Sequence, residues 1–446
     1  MLTLGRRARH SSLAGRAENG ASPTRSRRPA TSSPRVSGSK CPPPRAIDQR
    51  RSFTTPRRRP YEAAVVGAGP AGITCVGNLL ERKLTPILWI DDEFDGGRVN
   101  RRYREVPSNT KTKTFIDWAT GVTPFQKIVS GQGGADKLWA MRQLDQEKGC
   151  RLSHAADACL MLTEGLQTFP GVDARFGRLE EGMLADEGTP QGRWSLQFDD
   201  GLSKHTVRSH RLVLCTGASP NNGALPIDAP GVAHLDLDTA LSPTRLSAAL
   251  SHRDAVTVSV IGASHSAILV LMNLYHLAST SKPRLRVRWF TRHPLRYAVF
   301  MDGWILRDNT GLKGAAADWA RENLEPDVFE HRDVSTYIRR IAYAADHETH
   351  TFRHHLPGSD YYVAATGFTR DPIPTLRTPK GEPMQPLFDH ERGSFAYVEG
   401  GRRVPGLFGA GIAFPERVRD PHGNVEMAVG FFKFMKFVKR VSPQWN

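Results

Sequence analysis

The sequence predicts an α/β fold in which one doubly wound parallel sheet is inserted into another. Two stretches, beginning at residues 63 and 256, each contain a buried apolar strand, a small-residue turn, an apolar-periodic helix and a second buried strand. Two further apolar strands end in Thr-Gly, at residues 216–217 and 366–367, on either side of the second stretch. The inserted domain is therefore expected at residues 218–365, between the two parts of the first domain at 61–217 and 366–446.

The first stretch has the spacing of a dinucleotide-binding turn, Gly-Ala-Gly-Pro-Ala-Gly, directly after its strand. The first glycine makes the tight turn, the second admits a pyrophosphate, and the third lets helix and strand pack closely. After the second strand, a carboxylate is placed to accept hydrogen bonds from an adenosine ribose. An ordinary glycine-rich turn is the alternative, which the complete strand–turn–helix–strand context disfavours. The residues expected at the cofactor are Gly67, Gly69, Pro70, Ala71, Gly72, Asp91 and Gly97.

The second stretch predicts another dinucleotide site, with Gly262, Ser264 and Ala267 at the three turn positions. Its second strand ends in Phe-Thr-Arg rather than in an acid, so Arg292 is expected to pair with a 2′-phosphate and to favour NADPH over NADH. A surface role for Arg292, or binding by Arg288 instead, is the alternative. His265 is expected either to contact the nicotinamide cofactor's phosphates or to face solvent at the start of the helix.

The strong positive charge of the chain is concentrated in its first 60 residues. The net charge is +16, of which residues 1–60 contribute +13, leaving about +3 for the rest. The folded part therefore has no charge pattern that predicts a nucleic-acid partner. The leader is rich in Arg, Ser and Pro, which predicts mitochondrial import with processing near Arg51–Thr54; a disordered basic tail or a mis-predicted first exon is the alternative, with a cytoplasmic location.

The five cysteines form no Cys-x-x-Cys pair, so neither a zinc site nor a disulfide framework is expected. No apolar run is long enough to predict a transmembrane helix. No catalytic triad or metal cluster stands out, and no catalytic residue is assigned.

The order of these motifs resembles that of the two-dinucleotide-binding flavoproteins. That superfamily includes flavin-containing and N-hydroxylating monooxygenases and the pyridine nucleotide-disulfide reductases. The resemblance covers residues 61–440 and implies that the first turn binds FAD and the second binds NAD(P)H. It differs in two places: a redox cysteine pair is missing from the sequence pattern, and Gly409-Ala410-Gly411 stands where many members have Gly-Asp.

The resemblance also implies cofactor contacts from the Thr-Gly ends and from the C-terminal stretch. A helix is expected to open at His422-Gly423-Asn424 and to run to about Val438, with Asn424 as its N-cap. Its N-terminus is expected to stabilise negative charge on a reduced flavin ring. Lys433 is expected on the face of this helix opposite its phenylalanines. The further residues expected at the cofactors are Gly217, Thr366, Gly367, Gly411 and Asn424.

The loop at residues 98–114 has two interpretations of equal weight. Its Ser108-Asn109-Thr110 run offers hydroxyl and amide groups to a flavin or a substrate, or it is a solvated loop that caps the next helix. For the whole chain, three functions remain open. They are a monooxygenase acting on a small substrate, a reductase that passes electrons to a quinone or protein, and a non-catalytic redox-sensing flavoprotein.

Overall fold

The computed structural model describes residues 59–131, 136–185, 193–221 and 225–445 of the 446-residue chain. The predicted leader and its processing site lie outside these ranges, apart from Arg59 and Pro60. Among the helices that the structure describes, none combines the length and apolar character needed to cross a membrane.

The first third of the chain alternates strands and helices, as the sequence predicts. Its strands are β1 (Ala63–Val66), β2 (Ile87–Asp91), β3 (Pro107–Lys111), β4 (Gly149–Arg151), β5 (Val172–Phe176), β6 (Arg178–Leu184), β7 (Trp194–Asp199), β8 (Lys204–Ser209), β9 (Leu212–Leu214) and β10 (Ala218–Pro220). Its helices are α1 (Pro70–Glu81), α2 (Arg98–Arg102), α3 (Thr112–Ala119), α4 (Thr123–Ser130), α5 (Trp139–Arg142) and α6 (Leu152–Gln167).

The middle third contains the second strand–turn–helix unit. Its strands are β11 (Ala233–His234), β12 (Val256–Ile261), β13 (Leu285–Thr291), β14 (Val299–Phe300), β15 (Ile305–Leu306), β16 (Ile338–Ala342), β17 (Tyr361–Ala364) and β18 (Phe368–Arg370). Its helices are α7 (Leu237–Leu241), α8 (Pro243–Ala249), α9 (His265–Thr280), α10 (Gly314–Asn323), α11 (Pro326–Phe329), α12 (Val334–Tyr337) and α13 (Glu348–His355), with a 3₁₀ turn at Ala345–His347.

The last part of the chain returns to the first sheet. Its strands are β19 (Thr375–Arg377), β20 (Pro383–Met384), β21 (Leu387–Asp389), β22 (Ser394–Ala396), β23 (Arg403–Gly409), β24 (Glu416–Arg419) and β25 (Val425–Ala428). They are followed by α14 (Phe431–Val441) and a 3₁₀ turn at Ser442–Gln444.

The first sheet has the order β21-β22-β23-β9-β1-β2-β5, and its five strands from β23 to β5 are parallel. The first three residues of β1 are fully buried, which explains its uninterrupted apolar sequence. Helices α1, α6 and α14 cover one face of this sheet, and they contribute to one hydrophobic core. The second sheet is parallel throughout, in the order β11-β17-β12-β13-β16.

Two further sheets complete the architecture. Strands β6, β7 and β8 form an antiparallel meander, joined by β19 and β20. The meander ends at Ser209, because β9 returns to the parallel sheet beside β1. Strands β10 and β18 form an antiparallel ribbon where the chain passes between the two parallel sheets. The predicted α/β fold with two parallel sheets is confirmed.

The predicted helix at residues 424–438 is wrong in its first turn. Residues 416–428 form the hairpin of β24 and β25, and α14 begins only at Phe431. Asn424 lies in the hairpin turn, where its backbone and side-chain N–H groups both donate to Asp420 at 2.8 Å. Asn424 is therefore not a helix N-cap, because cross-strand pairing of the preceding residues requires a turn at this position.

Candidate cofactor-binding site

The first small-residue turn has the compact geometry expected of a dinucleotide site. A Cβ atom at Gly67 would overlap the carbonyl oxygen of Cys215, and one at Gly72 would overlap the carbonyl oxygen of Gly67. Both positions therefore require glycine to let β1, α1 and β9 approach. By contrast, a Cβ atom at Gly69 would meet nothing within 4 Å. Gly69 is the N-cap of α1, so the free N–H groups of the helix lie beside space that no described residue fills and that suits a phosphate.

Gly97 and Asp91 border this open space. A Cβ atom at Gly97 would lie 2.9 Å from the Cα atom of Gly69, so the two backbones face each other across the turn. The Asp91 carboxylate accepts hydrogen bonds from the N–H groups of Ala68 at 2.7 Å, Glu93 at 2.8 Å and Phe94 at 2.7 Å. An ionised carboxylate has about four acceptor positions, so one remains for a ribose hydroxyl. Asp91 thus shapes the turn as well as facing the site.

A tryptophan pair shows that the two turns are equivalent. The indole N–H of Trp89 donates to the carbonyl oxygen of Gly67 at 3.0 Å, and that of Trp289 donates to Gly262 at 2.7 Å. Both indoles are fully buried on the second strand of their unit. The residue two positions after each tryptophan is Asp91 in the first unit and Thr291 in the second. Thr291 is buried and donates to the carbonyl oxygen of His293, so no carboxylate occupies the ribose position of the second unit.

The second turn leaves its helix N-terminus uncapped. Ser264 is the N-cap residue of α9, and its side chain makes no capping hydrogen bond. Ala267 is buried. Its Cβ lies 3.4 Å from where a Cβ of Gly262 would be, so alanine fits the third position here. As in the first unit, a Cβ at Gly262 would overlap the carbonyl oxygen of the residue after the neighbouring strand, Ala365.

The two candidate arginines of the second unit have different environments. Arg288 donates to the carbonyl oxygens of His355 and Pro357, both at 2.7 Å, so it fastens the loop before β17. Arg292 is half-exposed, and its nearest carboxylate is Glu348, with a nitrogen–oxygen distance of 3.9 Å. The guanidinium of Arg292 thus remains available to an anion, although Glu348 competes for it.

Two buried polar atoms for which the described part of the chain offers no hydrogen-bond partner lie at the two turns. They are the Thr216 hydroxyl, after β9, and Nδ1 of His265, the first residue of α9. Burial, with the nearby charge of Lys313, lowers the pKa of His265 to about 4, so the ring is neutral at pH 7. Nδ1 is enclosed by protein, so this nitrogen faces inward rather than towards solvent. Unpaired buried polar atoms are rare, and both fit a site completed by a cofactor.

The other predicted residues lie around the first turn or at the end of β17. Gly411 follows β23, and a Cβ there would lie 2.5 Å from the Cβ of Ala71. Gly217 is adjacent to Asp371, whose N–H donates to its carbonyl oxygen at 3.1 Å. Thr366 and Gly367 are exposed. Pro70 is the first residue of α1. Among the predicted site residues, Asn424 does not take the role assigned to it.

Sequence analysis did not identify a partly buried ion pair that joins the two units. Arg98 in α2 forms an ion pair with Asp238 in α7, and the Tyr103 hydroxyl donates to the same carboxylate at 2.7 Å. Burial, together with this hydrogen bond, raises the pKa of Tyr103 well above its ordinary value. Arg98 also donates to Ser219 in the connecting ribbon at 2.6 Å. No local sequence signal marks this pair, because its partners are 140 residues apart.

The cysteines include a spatial pair that the sequence spacing does not show. The Sγ atoms of Cys75 and Cys215 lie 3.7 Å apart beneath the first turn. The hydrogen bond with Cys215 and burial raise the pKa of Cys75 well above its ordinary value. Since the thiolate is the reactive form of cysteine, this pair is suited to packing rather than to dithiol exchange.

Comparison with known proteins identifies the family. Monooxygenase AgnR1 of Paecilomyces divaricatus is 49% identical over 386 residues, which cover 86% of this chain and 97% of that protein. The chain belongs to this monooxygenase family. The predicted class of enzyme, a monooxygenase-like oxidoreductase, is thereby confirmed. No family model matches the chain.

Solved structures agree with the predicted fold. Ornithine N-hydroxylase of Kutzneria sp. 744, in complex with reduced FAD, NADP⁺ and L-ornithine, has a TM-score of 0.52 and 12% identity. The match covers 86% of this chain and 98% of that one. A cyclohexanone monooxygenase mutant of Rhodococcus sp. Phi1 bound to NADP⁺ has a TM-score of 0.48 and 14% identity, over 86% of this chain and 85% of that one. The fold that the predicted resemblance implies is confirmed.

Proposed function

We propose that the chain is an FAD-dependent monooxygenase that uses NADPH to place one oxygen atom on a small organic substrate. The observation that carries this proposal is the pair of equivalent turns, each closed by a tryptophan and each opening an uncapped helix N-terminus. Two such turns in one chain provide for two dinucleotides. Membership of a monooxygenase family then favours oxygen as the electron acceptor.

In this proposal FAD occupies the first turn. Its pyrophosphate lies against Gly69 and Gly97, where two glycine backbones leave open space at the N-terminus of α1. The remaining acceptor position of Asp91 receives a hydrogen bond from the adenosine ribose. The Thr216 hydroxyl, for which the described residues provide no hydrogen-bond partner, would be available to FAD at the end of β9.

NADPH occupies the second turn, with its pyrophosphate at Ser264 and the first turn of α9. Arg292 pairs with the 2′-phosphate, and the buried Thr291 presents no carboxylate that would repel it. When bound, NADPH supplies a hydride and FAD passes the electrons to oxygen, so the chain's own task is to align the two cofactors and to exclude water. Arg98 and Asp238 align them by joining α2, which follows the first turn, to α7 of the second unit.

A single experiment separates oxygenation from electron transfer to another acceptor. The enzyme is reduced anaerobically with NADPH, mixed with oxygen in a stopped-flow instrument, and followed by its absorbance. We expect a transient that differs from both oxidised and reduced flavin and that outlives mixing. Direct return to the oxidised spectrum, together with fast turnover of an added quinone, would instead support an acceptor reductase. Failure of both NADPH and NADH to reduce the flavin would leave only a redox-sensing role.

A further inference from the structure

The segment at residues 297–314 extends from the second unit onto the first. Its hairpin, β14–β15, brings Trp304 against His422 of the β24–β25 turn, with ring centroids 4.9 Å apart. The Nζ atom of Lys111 in β3 lies 5.9 Å from the ring centroid of Phe300. At the end of the segment, a Cβ atom at Gly314 would lie 3.2 Å from the carbonyl oxygen of Ser108. The segment therefore contacts two separate parts of the chain outside the second unit, strand β3 and the β24–β25 turn.

Asp308 fastens this segment by accepting hydrogen bonds from two lysines. Lys313 Nζ lies 2.7 Å from one carboxylate oxygen, and Lys433 Nζ lies 2.7 Å from the other. The three side chains are only 12–30% exposed, so water screens their charges weakly. Although burial opposes it, the two lysines bring the pKa of Asp308 below its ordinary value. Lys433 belongs to the first turn of α14, so Asp308 links the second unit to the C-terminal helix.

The two residues after Asp308 strengthen the same attachment. The side-chain oxygen of Asn309 accepts a hydrogen bond from Lys433 at 2.5 Å. The backbone and side-chain N–H groups of Asn309 donate to Glu426 in β25 at 3.0 and 3.1 Å, and the Thr310 hydroxyl donates to the other oxygen of Glu426. Three successive residues of the segment are thus held by one lysine and one glutamate. We name this set, with Lys313, the Asp308 bridge.

The Asp308 bridge lies between the two proposed cofactor sites. At one end, Lys313 is close enough to His265 in the second turn to contribute to its lowered pKa. At the other end, α14 packs against α1, the helix of the first turn, and the Phe431 ring packs against Phe115 of α3. Gly314, at the end of segment 297–314, also lies against Ser108 and Asn109 in β3. The bridge therefore connects the surroundings of the second turn to the helix that follows the first turn, and we name the space between these two turns the junction.

We propose that the Asp308 bridge holds segment 297–314 closed over this junction. The bridge thereby determines what fraction of the NADPH consumed oxygenates the substrate rather than forming hydrogen peroxide. The proposal rests on the proposed monooxygenase function. The productive reaction is NADPH + H⁺ + O₂ + substrate, giving NADP⁺, water and the oxygenated substrate. The unproductive one is NADPH + H⁺ + O₂, giving NADP⁺ and hydrogen peroxide. Opening the segment admits water to the junction and favours peroxide, since oxygenation requires a closed, dry site. The bridge residues are therefore positioning residues.

The test uses the FAD-loaded full chain with Asp308→Asn, which leaves two ammonium groups around a neutral amide. Without substrate, peroxide release driven by NADPH in air-saturated buffer is expected to rise about tenfold, because repulsion between the lysines opens the segment. Deuterium exchange should rise at residues 299–312 and not in α1. The anaerobic rate of reduction by NADPH should stay within about twofold, because neither turn is altered. The double variant Asp308→Asn/Lys433→Met removes the repulsion between the lysines. Its peroxide release and its deuterium exchange at residues 299–312 should therefore lie between those of Asp308→Asn and of wild type.

Lys204→Met is the matched control, because Lys204 forms an exposed ion pair with Glu180 far from the junction, and it should leave every measurement unchanged. The proposal is overturned if exchange at 299–312 does not rise in Asp308→Asn, or if exchange rises while peroxide release stays at the wild-type rate. Failure of the wild-type chain to bind FAD would overturn the proposed function instead. Exchange on the unliganded chain would still show whether Asp308 holds the segment.

Discussion

A carboxylate placed at either helix N-terminus should remove one dinucleotide and spare the other. Gly69 and Ser264 are the N-cap residues of α1 and α9, and neither position has a side-chain cap. Aspartate is a favoured N-cap residue, and a Cβ at Gly69 meets no protein atom within 4 Å. Gly69→Asp and Ser264→Asp should therefore fold, with melting temperatures close to wild type.

The size of the effect follows from the charges brought together. A carboxylate about 4 Å from one phosphate charge is repelled by about 4 kcal/mol at the effective dielectric constant of a protein surface. That energy corresponds to about a thousandfold weaker binding. A Cβ atom at Gly69 has no protein atom within 4 Å, so the new carboxylate would extend into the space proposed for the pyrophosphate.

The assay is flavin absorbance per chain after purification, followed by calorimetric titration of the flavin-loaded protein with NADP⁺. Gly69→Asp is expected to purify colourless. Ser264→Asp is expected to purify yellow and to bind NADP⁺ about a thousandfold more weakly. Each variant is the folding control for the other. Full flavin occupancy in Gly69→Asp, or equal loss of flavin in both variants, would refute the assignment of FAD to the first turn and NADPH to the second.

Three further predictions concern single features of the chain. Arg292→Ala should raise the Michaelis constant for NADPH about tenfold and leave the Michaelis constant for NADH nearly unchanged. Glu348→Gln should lower the Michaelis constant for NADPH, because it removes the carboxylate that competes for Arg292. Equal effects of either variant on both cofactors would contradict this prediction. The folded pKa of His265 lies below its unfolded value near 6.5, so its stability contribution is present above that pH and is lost as pH falls towards 4. Relative to His265→Asn, wild type should lose up to about 3 kcal/mol of unfolding free energy between pH 7 and 4, measured by urea denaturation; parallel curves would argue against the buried ring. Deleting residues 1–53 should preserve flavin content and activity while abolishing mitochondrial location in cells, and a cytosolic full-length chain would reject the import prediction.

The sequence predicts those parts of the site that depend on local spacing. A strand, a small-residue turn and a helix are neighbours in the chain, so Gly67, Gly72, Gly262 and Ala267 are found where their spacing indicates. The absence of an acid at the end of the second unit was also visible, and Thr291 now identifies the exact equivalent of Asp91. Each of these features belongs to a strand–turn–helix–strand unit of about thirty consecutive residues, and the spacing of residue types within such a unit predicts its structure.

Features that depend on distant partners could not be predicted in this way. Asn424 precedes an apolar run and suits a helix N-cap, but pairing of Glu416–Arg419 with Val425–Ala428 places it in a hairpin turn. Lys433 was expected only on the polar face of its helix, yet it reaches Asp308, which is 125 positions earlier in the numbering. Cys75 and Cys215 meet although 140 residues separate them. In each case the contact depends on how distant parts of the chain pack together, and no local sequence pattern specifies that packing.

The two turns share one design and differ at the residue that selects the ligand. Both place a buried indole under the first glycine and leave the helix N-terminus open, so both can hold a pyrophosphate. Asp91 uses most of its acceptor capacity to brace the first turn, and the position left over suits a ribose hydroxyl. Thr291 donates only to the carbonyl oxygen of His293, just beyond the end of its own strand, and the next residue, Arg292, is half-exposed. In the proposed assignment a carboxylate at position 291 would lie beside the 2′-phosphate, so threonine at this position favours NADPH in the second turn.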